Sequence, residues 1–162
     1  MVSVLTIFLK KRVYLVDNIG YLLMKVSKDL KYQLTKQLKQ YDLTASQWAV
    51  LKRIEIEELK ESSPDKRTAA VIAGVLDLDK PTISGIINRL YEKDMVRKLH
   101  HPKDKRAVIL CLTEKSRLLI PTIEGISNGV IEKALSLVSE QERGILVGLL
   151  NKMDQVLEEE DL

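Results

Sequence analysis

A chain of 162 residues, 45% hydrophobic and 30% charged, has the size and composition of about one globular domain, which excludes a disordered or collagen-like polypeptide. Its single cysteine, Cys111, excludes an internal disulfide framework and an all-cysteine metal cage and fits a reducing cytoplasm, while 4% aromatics leave little to build stacking platforms for single-stranded nucleic acid. The formal net charge of +3 is mild, but residues 80–106 concentrate eight basic against three acidic side chains.

Residues 1–9, MVSVLTIFL, are apolar apart from Ser3 and Thr6, and Lys10-Lys11-Arg12 follows them. A secretory leader has the opposite order, and a membrane span needs about 20 apolar residues, so neither export nor spanning is expected. Residues 1–17 read as a strand-like or helical extension packed on the body or on a partner. A misplaced translation start and a partly disordered arm are the rival readings.

From residue 18 the period becomes helical. Ile19, Leu22, Leu23, Val26, Leu30, Leu34, Leu38 and Tyr41 recur every three or four positions and form one apolar stripe. Thr44-Ala45-Ser46-Gln47 is a capping-box pattern that opens a second helix, with Trp48, Leu51, Ile54 and Leu59 as its stripe. Lys60–Arg67, carrying Ser-Ser-Pro-Asp, reads as a loop. Ala69, Ile72, Ala73 and Leu76 share the face of a short helix that turns at Asp77-Leu78-Asp79. Asp79 is then a natural N-cap for the next helix, and Pro81 suits its first turn. In that helix Ile83, Ile86, Ile87 and Leu90 form the inward stripe, and Thr82, Ser84, Gly85, Asn88 and Arg89 occupy the other face. Two short helices joined by a tight turn make a helix-turn-helix.

After Met95 the period shortens. Residues 95–99 and 107–112 read as two strands, and His100–Arg106, HHPKDKR, is the charged tip of their hairpin. Thr113-Glu114 opens a long helix to about Val138, with Leu119, Ile123, Ile126, Val130 and Leu137 apolar and Pro121 marking a bend or its true start. Ser139 and Glu142 form a second capping box, followed by the stripe Ile145, Leu146, Leu149, Leu150, Met153 and Leu157. The expected fold is therefore mainly α with a small β-hairpin. It is a winged helix-turn-helix lobe, residues 44–112, flanked by long helices at 18–43 and 113–162.

This order of elements, over residues 18–158, resembles the MarR family of bacterial winged-helix transcription regulators. The resemblance rests on Leu43-Thr44-x-x-Gln47-Trp48-x-x-Leu51, Leu78-Asp79-Lys80-Pro81-Thr82-Ile83-Ser84 and Asn88-Arg89-Leu90-x-x-Lys93-x-x-Val96. Asp104-Lys105-Arg106 and Leu112-Thr113-Glu114-Lys115 complete it. The sequence departs from the family at the helix-turn-helix turn, where Asp77 replaces the usual Gly, a residue type that tolerates a left-handed backbone better than most. The loop before the first short helix is also longer than is typical.

A helix with short polar side chains near its start fits the major groove of B-DNA, and Thr82, Ser84, Asn88 and Arg89 are the side chains expected to reach base edges, with Lys80 and Pro81 at the entry. Asn suits adenine and Arg suits guanine, and the sequence leaves open which contact is made. Gly85 would let the backbone approach the duplex closely. Lys103, Lys105 and Arg106 of the hairpin tip would meet phosphates or the minor groove. The resemblance implies that Arg106 is the residue entering the minor groove and that Asp104 orients the basic side chains beside it. It further implies that the first helix and the last two are dimerisation helices interlocking across a two-fold axis. Their stripes exceed what one small winged helix can cover. The implied function is a sequence-specific double-stranded-DNA-binding transcription regulator, a repressor, holding a pseudo-palindromic operator as a cytoplasmic homodimer. Release by a small aromatic or other small-molecule effector is part of the family's habit, although no local motif identifies such a ligand.

Other chemistries are weakly supported. No Gly-rich phosphate loop, His-Glu-x-x-His or Gly-x-Ser-x-Gly motif is present, so catalysis and cofactors are not expected. Cys111 on a strand reads as inert packing rather than a redox sensor. His100, His101 and Cys111 lack the spacing of a zinc site. The competing reading is a winged-helix protein-interaction module without DNA binding.

Overall fold

The computed structural model describes residues 4–102 and 107–160, with side chains over 18–102 and 107–157. Six helices and one hairpin follow in chain order: α1 (Val4–Leu38), α2 (Ala45–Leu59), α3 (Ala69–Val75), α4 (Lys80–Glu92), β1 (Val96–His100), β2 (Val108–Leu112), α5 (Glu114–Ala134) and α6 (Glu140–Glu160). Among these residues no helix is long and apolar enough to cross a membrane. The chain divides into two compact units, residues 1–127 and 128–162.

Local capping chemistry sets several boundaries in the first unit. The Gln47 amide donates to Thr44 Oγ1 (3.2 Å) and the Thr44 amide donates to Gln47 Oε1 (3.0 Å), so the expected capping box opens α2. Asp79 caps α4 by accepting from the Thr82 amide at 2.7 Å. Between α3 and α4 the backbone turns through Asp77 at φ 48°, the left-handed conformation anticipated for that position. The hairpin is antiparallel, with Val96 opposite Leu112 and His100 opposite Val108. A single bridge from Thr68 to Ile109 adds the residue that caps α3 to the edge of this ribbon.

The core lies among α2, α3, α4, the hairpin and α5. Val50, Leu51 and Ile54 of α2 meet Ile72 of α3, Ile83 and Leu90 of α4, Val96 and Leu112 of the strands, and Ile120 and Ile123 of α5. The inward stripe of α4 is the expected one, with Ile83, Ile86, Ile87 and Leu90 all buried. Past its C-terminus, Lys93 reaches both the carboxylate and the carbonyl oxygen of Asp42, and Lys115 Nζ donates to the Lys93 carbonyl at 2.7 Å. The recognition-helix candidate is thereby fixed along its buried face and at both ends.

Several boundaries differ from the sequence reading. α1 starts at Val4 and runs on through residue 18, so the extension takes the helical of its two readings from Val4 onward; Lys10–Arg12 interrupt the apolar pattern without any Pro or Gly to end a helix. Pro64–Arg67, expected as loop, form a 3-10 turn with Pro at its start, which suits the fixed φ of proline. Leu59 ends α2 exposed and does not extend its buried stripe. α5 stops at Ala134, leaving Leu137 exposed in the connection to α6.

In the second unit, Ser139 and Glu142 form the other expected capping box: the Ser139 amide donates to Glu142 Oε2 (2.9 Å) and the Glu142 amide donates to Ser139 Oγ (3.4 Å). Arg143 holds the turn, donating to Glu132 Oε2 at 2.8 Å and to the carbonyls of Leu135 (3.1 Å) and Val138 (3.2 Å). Ile145, Leu149, Val156 and Leu157 of α6 are exposed.

Candidate nucleic-acid interface

Because α4 buries its isoleucines and Leu90, the remaining faces carry polar side chains into solvent. Lys80, Pro81, Thr82, Ser84, Asn88 and Arg89 are all exposed, and Gly85 is half-buried among them. Helical spacing sorts these residues, Thr82 apart, into two adjoining stripes. Lys80, Ser84, Asn88 and Tyr91 follow one another along the side facing the hairpin, and Pro81, Gly85 and Arg89 lie beside them.

Gly85 has a use that the sequence reading did not assign. A Cβ at that position would lie 3.4 Å from Arg89 Nη2, so the guanidinium folds back over the glycine. The missing side chain leaves room for Arg89 as well as for a close approach to the helix backbone.

Lys98 of β1 completes the hairpin-facing stripe, and the sequence reading missed it. It stands opposite Leu110 in the ribbon, and its Nζ donates to Asn88 Oδ1 at 2.7 Å while lying 4.9 Å from the Tyr91 ring centroid. The contact spans ten residues and two element types, so periodicity alone could not reveal it. A cleft of about 970 Å³ lies between α3, α4 and the hairpin, floored by Ala73, Ile83, Ile87 and Leu110 and edged by Lys80, Asn88 and Lys98.

At its N-terminus α4 is tuned electrostatically. The Thr82 side chain and amide hold the Asp79 carboxyl below the usual aspartate range, so the cap is anionic at neutral pH. That charge complements the positive end of the helix.

The hairpin is anchored from below by two ionic clusters. Glu58, nearly buried at the end of α2, accepts from the Leu112 amide (3.1 Å) and from Arg67 Nη1 (3.4 Å), and its other oxygen lies 2.6 Å from Arg117 Nη2. Arg67 Nη1 also donates to Cys111 Sγ at 3.4 Å, so the buried thiol sits within this cluster. His101 is buried, unlike exposed His100, and its Nε2 lies 2.9 Å from Asp65 Oδ1. Ser63 Oγ donates to the other Asp65 oxygen at 2.6 Å, and Ser63 and His101 hold the Asp65 carboxyl below its ordinary range. Within the segment read as the charged hairpin tip, His101 is thus buried and belongs to the base of the wing. Lys103, Asp104, Lys105 and Arg106 lie outside the described residues. Among the described residues no cluster of His, Cys, Asp and Glu is placed to hold a metal ion.

Comparison with known proteins adds four findings. Residues 43–108 match the model of the MarR family. The chain is 29% identical over 137 residues to the HTH-type transcriptional regulator SarZ of Staphylococcus haemolyticus (strain JCSC1435), covering 85% of this chain and 87% of SarZ. Its fold is similar to that of S. aureus MepR in a DNA complex, with a TM-score of 0.72 at 24% identity over 85% of this chain and 96% of that one. It is similar also to a MarR transcriptional regulator from Methanosarcina mazei Go1, with a TM-score of 0.76 at 23% identity over 88% and 98% of the two chains.

Proposed function

We propose, from the match of residues 43–108 to the MarR family model and the likeness to SarZ, that the chain is a MarR-type DNA-binding transcription regulator whose α4 enters the major groove. The observation that carries this reading is the division of α4 into a locked apolar face and a free polar one. Ile83, Ile86, Ile87 and Leu90 hold the helix by its buried face, and Thr82, Ser84, Asn88 and Arg89 stay exposed on the rest of it. Lys80 and Pro81 sit at the entry, and Gly85 admits the backbone to the duplex. Lys103, Lys105 and Arg106 of the wing supply phosphate or minor-groove contacts, with Asp104 orienting them.

One such helix and wing bury too little surface for tight specific binding, so the active form is a homodimer on a pseudo-palindromic site with half-sites roughly 34–36 Å apart. The half-exposed and exposed apolar positions of α1 and α6, Ile19, Leu22, Val26, Ile145, Leu149 and Leu157 among them, are what a second copy would cover. The flanking segments, residues 18–43 and 113–162, thus serve as dimerisation helices around the 44–112 lobe. The protein acts in the cytoplasm as a repressor rather than as an enzyme, and a small-molecule effector releases it from DNA. The MepR neighbour was solved bound to DNA, which supports a DNA-facing role for the shared fold.

Selection from a random duplex pool, followed by anisotropy titration at several salt concentrations, tests the reading. A two-fold-related motif is expected, with an Arg106→Ala variant losing affinity and about one released ion per wing. Absence of any enriched motif would favour the protein-interaction alternative.

A further inference from the structure

Resting on the reading of α4 as the groove helix, we propose that Lys98 is a specificity-determining residue, which converts Asn88 from a reader of adenine into a reader of guanine. A free asparagine side chain matches adenine with both ends of its amide: the NH₂ group donates to N7 and the oxygen accepts from N6. In this protein the oxygen is already engaged. Lys98 Nζ lies 2.7 Å from Asn88 Oδ1. An ammonium group can only donate, so it is the oxygen and not the nitrogen of the amide that faces the lysine. The amide is left presenting its two N–H donors away from Lys98.

The lysine is itself held in place. Its Nζ lies 4.9 Å from the centroid of the Tyr91 ring, three residues along α4 from Asn88. Its backbone belongs to β1, where it pairs with Leu110, a buried core residue. The pairing of strand and helix therefore sets the position of the ammonium, although the side chain is exposed.

The combined group, an amide NH₂ beside an ammonium, is all donor. Guanine offers it two acceptors, N7 and O6, on the major-groove edge. Adenine offers N7 and then sets its N6 amino group, a donor, against a cation. The half-site position read by Asn88 is thus guanine, and Lys98 supplies sequence preference from outside the helix-turn-helix.

The experiment is selection from a random duplex pool with the wild type, Asn88→Ala, Lys98→Met and Lys98→Arg, each first shown to unfold at the wild-type temperature. Asn88→Ala identifies the position by relaxing it. Guanine is expected there in the wild type and in Lys98→Arg. In Lys98→Met, which keeps the apolar stem without a donor, adenine should gain on guanine by at least about fivefold, equivalent to roughly 1 kcal/mol. Adenine at that position in the wild type overturns the proposal. A uniform loss of affinity in Lys98→Met with unchanged base preference also overturns it, making Lys98 a phosphate contact while leaving the DNA-binding function intact. Failure of the wild type to enrich any sequence would defeat the underlying function instead.

Discussion

Asp79 and Asp77, two residues apart, show how single side chains position α4. Asp79 accepts from the Thr82 amide, and the Asp79→Ala variant is expected to lose about 1 kcal/mol in denaturant unfolding. Hydrogen bonds at helix starts hold the carboxyls of Asp79 and, through Ser139, Glu142 below their ordinary ranges. A carboxyl depressed in the folded state stabilises fully above its unfolded value, about 3.9 for aspartate, and loses that contribution as pH falls through the lower folded value. Stability should therefore decline on acidification below about pH 4, and Asp79→Asn should keep the cap at neutral pH with a shallower acid decline. An identical acid profile for that variant would contradict the assignment. Asp77 has φ 48°, so Asp77→Val should cost about 1–2 kcal/mol in the same assay, whereas Asp77→Gly should not destabilise. These roles were legible in the sequence because each partner lies within three residues or in the residue's own backbone.

At the scale of elements, what the sequence revealed depended on how far apart the partners stand. The inward stripe of α4 follows from its 3.6-residue period, and the hairpin from the change to shorter apolar runs. The Glu58 cluster could not be read in advance, because its partners Arg67, Leu112 and Arg117 come from three later segments. Nor could the burial of His101, which depends on Asp65 across the fold. The choice between a strand-like and a helical extension before residue 18 stayed open for a different reason: a run of three cations interrupts the apolar pattern without interrupting the helix. Since Glu58 ties α2 to β2 and to α5, Glu58→Gln should lower unfolding stability by about 1.5–3 kcal/mol, the worth of hydrogen bonds to a charged group. A change within experimental error would mean that core packing alone holds the hairpin.

For the whole molecule, the proposed function requires two copies of what one chain presents. Leu146 and Leu150 are successive turns of one α6 face and remain partly exposed in the single chain. Replacing both by Glu would bury four unpaired carboxylates in a dimer and should weaken self-association by at least about 100-fold, measured by sedimentation equilibrium. DNA affinity should fall with it. Dimers of unchanged strength would place the interface elsewhere. The sequence could point to this assembly only through apolar stripes too large for one lobe and through family likeness, since a partner leaves no local pattern of its own.

The most direct measurement compares a selected duplex with an unrelated one for the wild type and for a variant carrying Asn88→Ala and Arg89→Ala. Both side chains are exposed, so folding and dimerisation should be preserved. The wild type is expected to prefer its selected duplex by about 10³-fold or more, and the variant to lose most of that preference while retaining weak, salt-sensitive binding. An undiminished preference in the variant would mean that this face of α4 does not read DNA.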